Sequence, residues 1–230
     1  VAITTGSSGA FILAFLSAFE AGDKVALTSP GYPAYRNILA ALGCEVVTVE
    51  CGPESRFQPT PELLDAAVAE HGPLAGLVVA SPANPTGTML SRPELESLVS
   101  WCSHNEVRLI SDEIYNGITY SPDETDAHGV CAREFADHPV VVSSFSKYWG
   151  MTGWRLGWAL VPEDLRPGVD ALAGNLALCP PTPAQNAALA AFTADSYRFA
   201  DERVTAFART RRLLLDRLDG LGWGPMAPAE

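Results

Sequence analysis

Val140-Val141-Val142-Ser143-Ser144-Phe145-Ser146-Lys147 joins an apolar, β-branched run to a cluster of hydroxyl groups and a lysine. The run reads as a strand, and the polar cluster as the groups placed at its end. The same order recurs along the chain. Lys24 to Leu27 precedes Ser29-Pro30-Gly31-Tyr32, Leu74 to Ala80 precedes Ser81-Pro82-Ala83-Asn84-Pro85, and Val107 to Ile110 precedes Ser111-Asp112-Glu113-Ile114-Tyr115. Helical stretches alternate with these runs: Ala10 to Phe19, Tyr32 to Leu42 closed by Gly43, Pro61 to about Glu70, and a helix opened by the capping-box spacing of Ser91-Arg92-Pro93-Glu94. Alternation of this kind predicts βαβ units and a three-layer α/β/α domain around a mostly parallel sheet. Ligands in such sheets bind beyond the carboxyl ends of the strands, so one site can collect all four polar clusters.

From about Pro162 the pattern is helical, and Asp195 to Leu218 predicts one long helix ended by Asp219-Gly220-Leu221-Gly222. The expected division is a large domain over residues 1–193, followed by a connecting helix and an incomplete second domain over 194–230. Both ends of the chain read as cut from something longer.

Composition narrows the function classes. With 47% hydrophobic and 18% charged residues, the 230-residue chain belongs with globular proteins. A formal net charge of -12 disfavours nucleic acid and anionic membrane as partners, so any anionic ligand must be held by local groups. Five cysteines without C-x-x-C spacing and four histidines without ligand spacing predict neither a disulfide framework nor a metal site. Reduced thiols, and hence the cytoplasm, are the expectation. No apolar stretch approaches the ~20 residues of a membrane helix, and no signal-peptide pattern is present, so no membrane partner is expected.

Taken singly, the polar residues have two readings each. Lys147 is either a snorkelling surface residue or, if desolvated beside other cations, an amine able to attack a carbonyl and form a Schiff base. Arg155, in Met151-Thr152-Gly153-Trp154-Arg155-Leu156-Gly157, is an ion-pair partner or a fixed charge for an anion. Gly6-Ser7-Ser8-Gly9, leading into a helix, is a serine-capped turn or an anion cradle built on free N–H groups and the helix dipole. Asp112 is a helix cap or a partly desolvated carboxylate that needs a cationic partner. Tyr115 is a packing residue or a phenol at the same rim, Asn84 a turn former or an oriented amide, and Tyr32 a surface aromatic or a platform for a planar ring.

Read in order, Tyr32, Ser81-Pro82-Ala83-Asn84-Pro85-Thr86-Gly87, Ser111 to Tyr115, Ser144 to Lys147 and Met151 to Gly157 resemble the fold-type I, class I/II pyridoxal-phosphate aminotransferases. The likeness runs from about Thr4 to Pro162. It implies pyridoxal 5'-phosphate as cofactor and Lys147 as the lysine that holds it as a Schiff base and later moves the substrate α-proton. It further implies Asp112 on the pyridine nitrogen, Tyr115 and Asn84 on the phenolic oxygen, and Tyr32 stacked on the ring. Ser7, Ser8, Ser144 and Arg155 would cup the phosphate. The implied reaction is ping-pong transamination between an amino acid and a 2-oxo acid, in a homodimer with shared active sites. The alternatives are a β-lyase or another pyridoxal-phosphate enzyme on the same scaffold, and a non-catalytic sensor or assembly domain. The family's arginine for the substrate carboxylate lies in a C-terminal small domain beyond this chain, and Arg209, Arg211 and Arg212 of the long helix do not match it.

Overall fold

The computed structural model describes residues 1–120, 128–224 and 227–230. Seven strands form one sheet in the order β1-β7-β6-β5-β4-β2-β3. They are β1 (Ala2–Thr4), β2 (Lys24–Ser29), β3 (Glu45–Glu50), β4 (Gly76–Ala80), β5 (Arg108–Asp112), β6 (Val140–Ser144) and β7 (Gly157–Leu160). The helices are α1 (Gly6–Ala18), α2 (Pro33–Ala41), α3 (Pro61–His71), α4 (Arg92–His104), α5 (Arg166–Leu176), α6 (Thr182–Leu189) and α7 (Ala194–Gly220). Strands β3, β2, β4, β5 and β6 are mutually parallel, whereas β7 runs antiparallel to both β6 and β1.

Local chemistry sets the helix ends. Thr60 accepts the Leu63 N–H through its side chain before Pro61 opens α3, and Gly72, at φ 84°, lies just past its end. Glu94 accepts the Ser91 N–H at 2.7 Å, which seats the start of α4.

The side-chain period of two divides the core between the two faces of the sheet. Leu77, Val79, Leu109 and Val141 point to a cluster with Leu64, Leu95 and Leu98 of α3 and α4. Val78, Ile110, Val140 and Val142 point to the other, with Phe11, Phe15, Tyr35 and Leu39 of α1 and α2. Strands covered on both faces are apolar almost continuously, which is why these runs stand out in the sequence. The period also sorts the polar residues. Asp112 lies two positions beyond Ile110 and shares its α1/α2 side, while Ser111 and Glu113 fall on the α3/α4 side.

Three elements differ from the expectation. The helix expected from Ala10 begins at Gly6, so Gly6-Ser7-Ser8-Gly9 is its first turn rather than a lead-in. β1 and β7 were not anticipated as a pair; both are short, and β7 reaches the sheet only because Gly157 lets three backbones meet. A β-carbon there would lie 2.7 Å from Gly6 C, 2.8 Å from Ser143 O and 2.9 Å from Ser7 N. Backbone on all sides cannot step away. Gly157→Ala is therefore expected to lower stability by about 1–3 kcal/mol in urea denaturation. Gly153→Ala, where a β-carbon meets nothing within 4 Å, should stay within about 0.5 kcal/mol of the parent; equal effects at both positions would contradict this packing.

Candidate active site

The polar clusters do converge. A cavity of about 250 Å³ opens at the carboxyl ends of β4, β5 and β6, and Lys147, Asp112, Tyr115, Asn84, Tyr32, Ser7, Ser8 and Arg155 all line it. Ser144 does not. It is 1% exposed, and its Oγ accepts the Ser146 N–H at 3.1 Å, so its hydroxyl braces the turn that follows β6. Ser146 and Thr152 stand on the wall instead.

Asp112 is 5% exposed and is the last residue of β5. Burial pushes its carboxyl from 3.8 up to about 6, against the opposing pull of a hydrogen bond from Tyr35, the Ile114 N–H and the Lys147 ammonium. The Tyr35 hydroxyl donates to Oδ2, and the Ile114 N–H donates to Oδ1 at 3.1 Å. That second bond folds the chain back and presents Tyr115, whose ring centroid lies 5.3 Å from Lys147 Nζ. Tyr35 itself is raised well above its ordinary pKa, by burial first and then by Asp112, so it remains a donor. The sequence reading missed this residue. Its signal was the three-residue spacing from Tyr32, the cap residue just before α2, whose ring centroid lies 5.5 Å from that of Tyr35.

Glu113, next to Asp112, faces away from the cavity. It accepts the Ala132 N–H at 2.8 Å and the Ser111 hydroxyl at 3.0 Å, and burial raises it to about 7. Asn84 is held in a loop closed by Ala83 N–H to Thr88 O (2.9 Å) and Gly87 N–H to Ala83 O (2.7 Å).

A second wall is built for an anion. Ser7 and Ser8 sit in the first turn of α1, where N–H groups lack helical acceptors, and the cap residue Thr5 makes no side-chain bond to them. Arg155 leans against this turn; a β-carbon on Gly6 would run into its guanidinium. Arg155 takes a left-handed backbone, φ 53°, and donates to Thr152 O at 2.9 Å. Among the described residues no carboxylate pairs with it, so its charge is left for a ligand. A lysine amine, a buried carboxylate, the phenols of Tyr32, Tyr35 and Tyr115 and an anion cradle on one cavity suit a flat, cationic, phosphorylated aldehyde.

The family model described as aminotransferase class I and II matches residues 1–230. The chain belongs to the class I and II aminotransferases. Members of this family depend on pyridoxal phosphate, and the groups on the cavity wall fit that cofactor. Valine–pyruvate aminotransferase of Mycobacterium tuberculosis is 54% identical over 230 residues, covering 100% of this chain and 58% of its own. Aspartate/prephenate aminotransferase of Thermus thermophilus is 32% identical over 229 residues, covering 99% of this chain and 58% of its own. Among solved structures, an aminotransferase from Mycobacterium tuberculosis superposes with a TM-score of 0.90 at 55% identity, over 96% of this chain and 55% of that one. Aspartate aminotransferase from Thermus thermophilus with maleate gives 0.87 at 33% identity, over 96% and 56%. The chain thus spans little more than half the length of these aminotransferases.

The raised Asp112 carboxyl makes a prediction for cofactor-free protein. A carboxyl that binds its proton more tightly folded than unfolded stabilises the fold below about pH 4 and loses that contribution as pH rises through about 6. Asp112→Asn should flatten the pH dependence of urea stability between about pH 4 and 7 by on the order of 2–3 kcal/mol, leaving the slope due to Glu113. The same slope in both proteins would show that Asp112 is not buried as described.

Proposed function

We propose that this chain is the cofactor-binding part of a transaminase that moves an amino group between an amino acid and a 2-oxo acid. The observation that carries the reading is the placement of Lys147 on one cavity wall with Asp112, Tyr115, Asn84 and the Arg155 cradle. Bound pyridoxal phosphate supplies an electron sink for negative charge developing at the substrate α-carbon. Lys147 would hold the cofactor through its amine and would carry the substrate α-proton on Nζ. Asp112 would keep a proton on the ring nitrogen, Asn84 and Tyr115 would hydrogen-bond the phenolic oxygen, and Tyr32 would cover the ring face. Ser7, Ser8 and Arg155 would take the phosphate, with Ser146 and Thr152 beside them on the wall; Ser144 supports the turn from behind.

The relatives described above are all aminotransferases, which favours transamination over β-elimination and over a non-catalytic role. The 54% identity to a valine–pyruvate aminotransferase supports a branched apolar donor and pyruvate as acceptor. Residues 1–193 form the domain that binds the cofactor, and 194–230 lead from it into a second. We further read the protein as a homodimer, supported by the exposed apolar side chains Leu176 and Leu178 at and just past the end of α5, and Leu189 and Phe192 at and just past the end of α6. A reducing compartment, the cytoplasm, suits its five free cysteines. No described helix is long and apolar enough to cross a membrane.

In the full-length protein, pyridoxal phosphate should give a visible absorbance that Lys147→Ala abolishes, with turnover reduced at least about 100-fold. Valine should discharge that absorbance with release of its 2-oxo acid, and pyruvate should restore it. Ammonia and pyruvate released from an amino acid would instead establish a lyase, and no absorbance in folded protein would refute the cofactor assignment.

A further inference from the structure

Lys147 rides on a short turn closed by the Gly150 N–H to Lys147 O bond at 3.0 Å. Three contacts fasten that turn to the helical end of the chain. Tyr148, 6% exposed, donates its hydroxyl to Asp201 Oδ1 of α7 at 2.5 Å. The Trp149 indole N–H donates to Ala191 O at 3.0 Å, just before α7 begins. Arg203, two residues after Asp201 on α7, lies over Gly150 so closely that a β-carbon there would meet its guanidinium. Its guanidinium carbon in turn sits 5.9 Å from the Phe199 ring centroid and 5.8 Å from that of Phe207, which orients it.

Tyr148 does more than bridge to α7. Gly117, at φ 92°, presses on its ring; a β-carbon at Gly117 would lie 2.5 Å from Cδ2. Gly117 follows Tyr115 by two residues, so one aromatic ring sets the gap between the turn carrying Lys147 and the turn carrying Tyr115. Burial, and then Asp201, raise the Tyr148 hydroxyl's pKa, so it stays a donor, and the bond to a carboxylate is of the strong, charge-assisted kind. A lysine amine on a four-carbon stem is only as well placed as its root, and misplacement on the order of 1 Å is enough to lose much of a reacting group's effect.

We propose that Tyr148 and Asp201 are positioning residues for Lys147, fixing the root of its side chain against α7 and against the Tyr115 turn. The inference rests on the cofactor-holding role of Lys147 given above. It is distinct from packing alone, because the effect must travel through the lysine.

The test is a double-mutant comparison in the full-length protein, reading the dissociation constant for pyridoxal phosphate by equilibrium dialysis. Tyr148→Phe keeps the ring on Gly117 and removes the hydroxyl. It should weaken cofactor retention about fivefold when Lys147 is present and less than about twofold in a Lys147→Ala background. Asp201→Ala, on the exposed side of α7, should reproduce this pattern and carries the test if Tyr148→Phe does not fold. Asp201→Asn retains an acceptor and should bind within about twofold of wild type. Equal weakening in both backgrounds, or none in either, overturns the inference and leaves the cofactor assignment standing. A wild-type protein that retains no pyridoxal phosphate overturns the functional reading, and the inference with it.

Discussion

Burying the Asp112 carboxylate at the carboxyl end of β5 is the constraint from which the rest of the site follows. An isolated charge in that position would be expensive, and burial does push its proton affinity up. Three segments answer it: α2 through the Tyr35 hydroxyl, the chain's own return through the Ile114 N–H, and the turn after β6 through the Lys147 ammonium. Each answer places a second group. Tyr35 packs against Tyr32 at the start of its helix, Ile114 brings Tyr115, and the pairing of Asp112 with Val142 across β5 and β6 brings the turn that carries Lys147 alongside. A cation on a ring nitrogen would complete the set, since the surrounding donors only partly offset the desolvation.

The opposite charge is handled by a different device. In a chain of net charge -12, an anion is repelled at long range and has to be captured locally. Capture here depends on backbone approaching backbone. Gly157 lets β7 reach β6 and the start of α1 together, and Gly6 lets Arg155 lie against the free N–H groups of that helix. The guanidinium and the helix dipole then act on one point. A side chain at either glycine would separate them, which ties this part of the site to packing rather than to any polar residue.

Much of this was legible in the sequence, and what was missed has a physical cause. The apolar runs at β4, β5 and β6 are buried on both faces and therefore carry strong signals, and the residues just past them form the cavity wall as expected. β1 and β7 are three and four residues long at one side of the sheet, too short for periodicity to register. Ser144 and Ser146 are both small hydroxylated residues two positions apart, and only the turn after β6 decides that one braces the backbone while the other reaches the cavity. Tyr35 was concealed by its good fit as a core residue of α2. A buried phenol needs a partner, and the partner, 77 positions away, exists only in three dimensions.

Lys147 is mounted differently from Asp112, Ser7 and Ser8, which share its cavity. Asp112 sits within a β-strand, and Ser7 and Ser8 in a helix whose neighbours are β6 and β7, so their places are fixed by the sheet itself. Lys147 lies beyond the last ladder pairing of β6, on a turn the sheet does not fix. Its restraint comes from Tyr148, Trp149 and Gly150, all tied to the α6–α7 junction or to α7. At 27 residues, α7 is about 40 Å long, and through Asp201 and Arg203 its first half holds Tyr148 and Gly150 of the turn that carries the lysine. A helix is stiff over that length, so displacement at one end is felt as tilt at the other. The turn that carries Lys147 is thus referenced to α7, whereas Asp112, Ser7 and Ser8 are referenced to the sheet.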